Sequence, residues 1–280
     1  MPTQAEKAFT FRDLHDGDSA FLIPNPWDVG SAQVLTGLGA KALATTSAGH
    51  AFTIGKFDMT GGVTRDEALA HARAVAECTP LPVSGDFENG YGASPDAVAD
   101  TVRAALAAGL AGCSIEDTTM ERAPLAYDFD TAVQRVKAAV DVARSVAFPF
   151  QLCARADGLL SGAYDVDEAI RRLQAFEAVG ADVLFAPLLP DIEALRKLCS
   201  SLSKPVNAIA AGALAQYTIA ELSAAGARRV STGSGLFNIA ADAFYNAAST
   251  MLETGEMSAI AAIKSQGRIL KARRAFPPES

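Results

Sequence analysis

Eight short apolar runs alternate with helical segments along a chain of 280 residues. None of the connections carries a Gly-x-Gly-x-x-Gly dinucleotide turn, and no linker divides the sequence. These three observations predict one α/β domain spanning residues 1–280, a (β/α)8 TIM barrel rather than a doubly wound sheet. Half of the residues are apolar and 20% are charged, which suits a soluble domain of this size with a sizeable core.

The elements follow in order. A polar start leads into a short helix around Thr10 to Leu14, and Ala20-Phe21-Leu22-Ile23 reads as the first buried strand, stopped by Pro24-Asn25-Pro26. Asp28 or Ser31 caps a helix with Val29, Ala32, Leu35 and Leu38 at helical spacing, and Ala42 to Thr46 forms strand two, ending in the small residues Ser47-Ala48-Gly49. A loop from His50 to Val63 carries Asp58, after which Thr64 and Glu67 form a capping-box pattern for a helix that runs to about Cys78. Strand three begins after Pro82 and ends in the acidic, glycine-rich stretch Gly85-Asp86-Phe87-Glu88-Asn89-Gly90-Tyr91-Gly92. Ser94-Pro95 then supplies an N-cap and a proline at the first helical position.

Gly112 to Asp117 is strand four, Phe150 to Asp157 strand five, Asp182 to Ala186 strand six, Val206 to Ala210 strand seven and Arg229 to Gly233 strand eight, with helical segments between them. Two further helices, Leu236 to Leu252 and Met257 to Arg274, exceed the single helix that closes a barrel, so residues 236–280 read as a C-terminal extension at a subunit interface.

Composition excludes several functions. The net charge of −8, with basic residues scattered among acids, argues against a nucleic-acid or anionic-membrane footprint. No run of about 18 apolar residues and no signal-peptide core is present, and four well-separated cysteines without a C-x-x-C pair suit a reducing cytoplasm. Small molecules, or a second copy of the chain, are the expected partners.

The candidate chemistry lies at the C-terminal strand ends. Strand alternation would point Asp86 and Glu88 the same way, roughly 7 Å apart, so that both reach one ion. A chain with three histidines and no paired cysteines offers oxygen ligands, which suit a hard cation such as Mg²⁺. Glu116 occupies the equivalent tip of strand four, and three converging carboxylates require a cation or raised pKa values. Arg155, expected at the far side of the mouth, has two compatible roles: gripping a substrate carboxylate, or pairing internally with a site acid. Ser47-Ala48-Gly49 can present backbone N–H groups to an anion. His50 and His71 read as structural or exposed, and the cysteines as packed apolar residues.

Several motifs in order then resemble the phosphoenolpyruvate mutase/isocitrate lyase superfamily over Phe21 to about Leu252: Asn25-Pro26-Trp27-Asp28, Ser47-Ala48-Gly49, Gly85-Asp86-Phe87-Glu88-Asn89-Gly90-Tyr91-Gly92, Ser114-Ile115-Glu116-Asp117, Ala154-Arg155-Ala156-Asp157 and Pro205-Val206-Asn207. The resemblance implies a barrel whose terminal helix is exchanged with a neighbouring subunit, with such dimers pairing into tetramers. It also implies a Mg²⁺ site, or Mn²⁺ in its place, serving small 2-oxo acid substrates. By position, Asp86 is implied as the direct metal ligand, with Asp58, Glu88 and Glu116 holding metal-bound water. Arg155 and the Ser47-Ala48-Gly49 amides grip the substrate, and Trp27 and Asn207 line the pocket. Glu88 stands where an aspartate is common.

The segment Thr118-Thr119-Met120-Glu121-Arg122-Ala123-Pro124 has neither the Cys/His loop of isocitrate and methylisocitrate lyases nor the Lys- and Asn-bearing loop of phosphonopyruvate chemistry. The expected reaction is therefore Mg²⁺-dependent C–C cleavage of a small 2-oxo or 2-hydroxy (di)carboxylate through a stabilised enolate, with Arg155 and Glu116 in the machinery and water or Tyr91 as proton source. The alternatives are a phosphorus–carbon bond enzyme and a non-catalytic 2-oxo acid binder.

Overall fold

A computed structural model describes residues 1–119, 125–263 and 266–273. Eight parallel strands are hydrogen-bonded in the order β1-β8-β7-β6-β5-β4-β3-β2. They are β1 Phe21–Ile23, β2 Leu43–Ala44, β3 Val83–Asp86, β4 Gly112–Glu116, β5 Gln151–Arg155, β6 Val183–Phe185, β7 Val206–Ile209 and β8 Arg229–Ser231. The seam between β1 and β2 is closed outside the strands proper: the Ala44 amide donates to the Pro24 carbonyl at 3.2 Å. Asn25 completes the closure, since its Nδ2 donates to the Thr45 carbonyl at 2.9 Å while its Oδ1 accepts the Thr232 and Gly233 amides at 2.9 Å. One buried amide thus ties β1, β2 and β8 together, and the predicted barrel is the one observed.

Helices cover the strands as the apolar periodicity requires. Asp28 caps the helix Val29–Gly37, with Ser31 reciprocating at N3, and Thr64 with Glu67 forms the capping box of Arg65–Glu77. Ser94 caps Pro95–Ala107 with proline at its start. The first helix is longer than the sequence pattern suggests, running Gln4–Asp16 with a Thr3/Glu6 capping box. It plugs the bottom of the barrel. Phe11 is fully buried there, and Gly112 lets the backbones close, because a Cβ at that position would lie 2.4 Å from the Gln151 carbonyl oxygen and 3.1 Å from Phe11. Buried Lys7 donates to the Ala76 and Thr79 carbonyls at 2.9 and 2.7 Å, satisfying the end of the helix Arg65–Glu77.

Two sequence expectations change. Ser47-Ala48-Gly49 is not an open loop but the first turn of a helix, Ser47–Thr53, capped by Thr46. After β8 the chain forms Gly235–Thr254, and the expected second extension is two shorter helices, Ser258–Ala261 and Gln266–Arg273. Residues 264–265 and 274 of that expected helix lie outside the described residues. Gly235–Thr254 has no buried residue, and beside it the outer face of β1 is left open, with Leu22 39% exposed. An apolar groove lined by Phe21, Leu22, Leu35, Leu38, Ile219 and Leu236 runs along that opening.

His15 also sits in the barrel floor. Its Nδ1 bonds the Phe11 carbonyl at 2.8 Å, Nε2 has no partner, and the ring stacks edge-on against Phe11 and Phe21. Burial, helped by the nearby Arg229 charge, pushes its pKa from 6.5 to about 3. The unfolded chain therefore takes up a proton that the folded ring refuses, so stability is lost as pH falls from about 6.5 towards about 3. His71, lowered to about 4 chiefly by burial, adds in the same direction. The raised carboxyls of the barrel mouth act in the opposite sense, so the test is a difference: between pH 7 and pH 4 the stability of wild type relative to His15→Asn should fall as pH falls, and denaturant titrations showing a pH-independent difference would refute the assignment.

Candidate active site

Asp86 closes β3, where the barrel opens. Its backbone N–H donates to Thr45 Oγ1 at 2.8 Å, and its carboxylate accepts from the Ser47 amide and Ser114 Oγ, both at 3.1 Å. Gly85 before it must be small, since a Cβ would lie 2.4 Å from the buried Phe87 ring.

Arg155 is not across the mouth from these acids. It ends β5, directly paired in register with Glu116 at the end of β4. Nη1 lies 3.0 Å from both Asp86 Oδ1 and Glu116 Oε1, while Nε and Nη2 fork onto Asp157 at 3.1 and 2.6 Å. Three of the five guanidinium N–H groups thereby donate hydrogen bonds, and Glu116 adds an ion pair. Internal pairing is what the structure shows, and a bidentate grip on a substrate would require Nη1 to leave its carboxylates.

Burial dominates the electrostatics of this cluster. Glu116, with Thr118 Oγ1 donating to it at 2.9 Å, is held well above the usual carboxylate range by burial, against the pull of Arg155. Asp157 is raised to about 6 by burial, likewise opposed by Arg155. Asp58 is raised by burial and by Asp86, and its Oδ1 is buried with no hydrogen-bond partner.

Glu88 reaches the cluster by a different route from strand alternation. β3 ends at Asp86, and Glu88 lies beyond it with φ 47, in the left-handed region. It is nonetheless buried, and burial followed by Asp58 and Asp86 raises it to about 8. Tyr91, with φ 58, has a buried hydroxyl without a partner, and burial and the neighbouring acids, Glu88 first, push its pKa upward. A phenol so held gives up its proton reluctantly.

A cavity of about 260 Å³ descends from this cluster into the barrel. Ser47, Ala48, Asp58, Asp86, Glu116, Arg155 and Asn207 line it. Glu88 and Tyr91 face a neighbouring cavity of about 650 Å³ with Thr119 and Tyr127. Trp27 and Gly49 line neither. Trp27 instead stacks edge-on with Phe237 at 5.7 Å, and its carbonyl contacts His71 Nε2 at 3.0 Å. His71 stacks on His50 at 4.1 Å. Of the loop expected to differ from the lyases, residues 120–124 lie outside the described residues.

A supporting layer went unread in the sequence. Asp117 Oδ1 accepts the Asp157 amide at 2.8 Å, and its Oδ2 accepts Tyr164 Oη and Arg172 Nη1 at 2.7 and 2.9 Å. Arg135, fully buried, donates to the Gly92 carbonyl at 2.6 Å and to the carbonyls of Asn89 and Ala93, pinning the turn that presents Glu88 and Tyr91. The Asp117-x39-Asp157 pair gave a partial signal, because both acids sit one and two residues past their strands. The buried arginines gave none.

A parallel barrel with a small, acid-walled cavity at the C-terminal strand ends defines a class of small-molecule enzyme sites. The chain matches the family Phosphoenolpyruvate phosphomutase over residues 11–252 and belongs to it. A protein of Burkholderia cenocepacia J2315, provisionally described as a lyase/mutase, is 42% identical, with 99% of this chain and 98% of that one covered at a TM-score of 0.91. 2,3-Dimethylmalate lyase is 26% identical, covering 98% and 96% at 0.83. Oxaloacetate acetylhydrolase with the product oxalate is 26% identical, covering 97% and 94% at 0.84.

Replacing Arg135 by Met should leave three carbonyls, that of buried Asn89 among them, without their charged donor and destabilise the fold by about 3 kcal/mol. Amide exchange should accelerate at Gly90 and Tyr91; exchange rates equal to wild type would show that the turn does not depend on Arg135.

Proposed function

We propose that this protein is a Mg²⁺-dependent lyase, with Mn²⁺ able to replace Mg²⁺, that cleaves a C–C bond of a small 2-oxo or 2-hydroxy (di)carboxylate. The observation that carries this reading is the gathering of acids at one guanidinium: Asp86 and Glu116 pair with Arg155, while Asp58, with an unpartnered oxygen, and Glu88, raised to about 8, lie near enough for their charges to act on each other and on Asp86. Such a cluster is costly without a further cation. The donors are all oxygen, as a hard dication prefers. Among the described residues no three His, Cys, Asp or Glu side chains form a ready ligand set. Mg²⁺ needs none, because it usually keeps several waters and takes only one or two carboxylates.

In this reading Asp86 would hold the metal directly, and Asp58, Glu88 and Glu116 would hold it through water. When bound, Mg²⁺ supplies Lewis-acid stabilisation of negative charge on the substrate's 2-oxo oxygen. The Ala48 amide, at the start of a capped helix, and the Ser47 amide on leaving Asp86 would orient the substrate carboxylate together with Arg155, and Asn207 lines the pocket below. Arg155 keeps Asp86 and Glu116 turned to the cavity, and Asp157, bonded through its amide to Asp117, fixes Arg155. Water or Tyr91 supplies the proton to the cleaved product; the Tyr91 phenol stays protonated and lies beside Glu88 on the neighbouring cavity. The relatives named above as 2,3-dimethylmalate lyase and oxaloacetate acetylhydrolase support the substrate class, and the four free thiols suit a reducing cytoplasm.

Magnesium-dependent release of pyruvate or glyoxylate from a panel of such acids should fall by at least ~100-fold in Asp86→Ala. Activity unaffected by that change or by chelator would sink the metal mechanism. Turnover of phosphonopyruvate alone would assign the chain to phosphorus–carbon chemistry, and tight binding without turnover across the panel would make it a binder.

The extension 236–280 lies, we propose, at a subunit interface, where its helix Gly235–Thr254 is exchanged between subunits of one barrel domain, giving dimers that pair into tetramers. Ile239, Phe244, Tyr245 and Leu252 are 70, 74, 68 and 87% exposed along one helix. A helix with no buried residue and four such side chains spread around it needs partners, and the open groove beside β1 on a second copy is apolar enough to receive part of it. Light scattering should report an oligomer that Phe244→Glu dissociates; a monomeric wild-type protein would overturn the arrangement.

A further inference from the structure

Arg229 begins β8 and is buried, with 5% of its surface exposed. Strand pairing fixes its depth. Glu116–Arg155, Arg155–Phe185, Phe185–Asn207 and Asn207–Arg229 are successive cross-strand partners, a row that starts at the last residue of β4 and ends at the first of β8. Arg229 is therefore rooted deeper in the barrel than Arg155, yet it lines the same cavity.

Its partners leave its charge unanswered. Nε donates to Asn207 Oδ1 at 2.8 Å, and Nη2 lies 3.0 Å from Cys153 Sγ, whose thiol is kept neutral mainly by burial. Asn207 is in turn fixed by donating to Ser231 Oγ at 2.9 Å. Arg155 and Arg172 contrast with it, since each meets at least two carboxylates, whereas among the described residues no carboxylate pairs with Arg229; buried Arg135 also lacks a carboxylate, but three backbone carbonyls take up its guanidinium and it does not line the cavity. Nη1 makes no hydrogen bond among them and is not sealed from the cavity, so N–H donors remain free to face a ligand. A buried guanidinium without an anion is unfavourable, and its planar fork matches a carboxylate.

We propose that Arg229 is the specificity residue of this site, binding the remote second carboxylate of a dicarboxylate substrate whose 2-oxo or 2-hydroxy acid end lies on the Asp86–Arg155 side. This rests on the reading of the site as a metal-assisted 2-oxo acid site, and it excludes simple monocarboxylates as the preferred substrates. Ile23, Phe185 and Ile209 wall the intervening space with apolar surface, which favours a short, compact diacid.

Calorimetry on the full chain with Mg²⁺ tests it. Oxalate reports the 2-oxo acid end alone; oxaloacetate and its 4-methyl ester differ only in the remote charge. Wild type should bind oxaloacetate about 10- to 100-fold more tightly than the ester, the range for a charged hydrogen-bonded pair. Arg229→Met should erase that preference while leaving oxalate affinity unchanged, and Arg229→Lys should retain part of it. Oxalate binding with no preference for the diacid in wild type would overturn the role of Arg229 and leave the site reading intact, a result that needs no folded variant. Failure of oxalate itself to bind would overturn both. A preference that survives in a folded Arg229→Met would place the second carboxylate elsewhere and likewise overturn the proposal.

Discussion

The ion-pair fork of Arg155 organises the mouth of this barrel. One guanidinium, at the end of β5, holds Asp86 from β3, Glu116 from β4 and Asp157 from just beyond its own strand. Three carboxylates so close would otherwise repel or take up protons. Because buried charges are tolerated only when paired and hydrogen-bonded, the arginine and its acids must be positioned together or not at all. The Asp117–Arg172–Tyr164 network beneath supplies that positioning, and the rigid parallel strands supply the register.

The same constraint explains why acids and bases occupy unequal depths. The acid wall lies on the β2–β4 side at the strand tips, where water and small ligands arrive. The polar floor of Asn207, Ser231 and Arg229 lies lower, on the β7–β8 side, where most barrels pack branched apolar layers. The cavity is therefore polarised along its depth, with an excess of carboxylate above and an unmatched guanidinium below.

Much of this was legible in the sequence. All eight strands are readable as apolar runs, because a parallel sheet is buried on both faces and needs near-continuous apolar side chains. The caps at Asp28, Thr64 and Ser94 are readable because capping chemistry is local. What escaped has physical reasons. Glu88 joins the cluster through a left-handed turn, which no period-2 pattern describes. The Ser47–Thr53 helix is short and rich in small residues, so it carries no apolar stripe. Lys7, Arg135, Arg172 and Arg229 are buried charges, and a pattern that assigns charge to solvent places each of them on the wrong side of its element. The basic tip of strand five suggests a place at the far side of the mouth, but consecutive strands of a barrel are neighbours, and the pairing register sets Arg155 beside Glu116.

The open groove beside β1 has a thermodynamic consequence. Its apolar lining stays wet unless another surface covers it, so the folded state gains free energy from whatever binds there while the unfolded chain gains none. By mass action the melting temperature of such a chain rises with the concentration of its covering partner. Under the proposed exchange between subunits that partner is a second copy, and stability becomes a property of the population of molecules, with dilution alone acting as a denaturant.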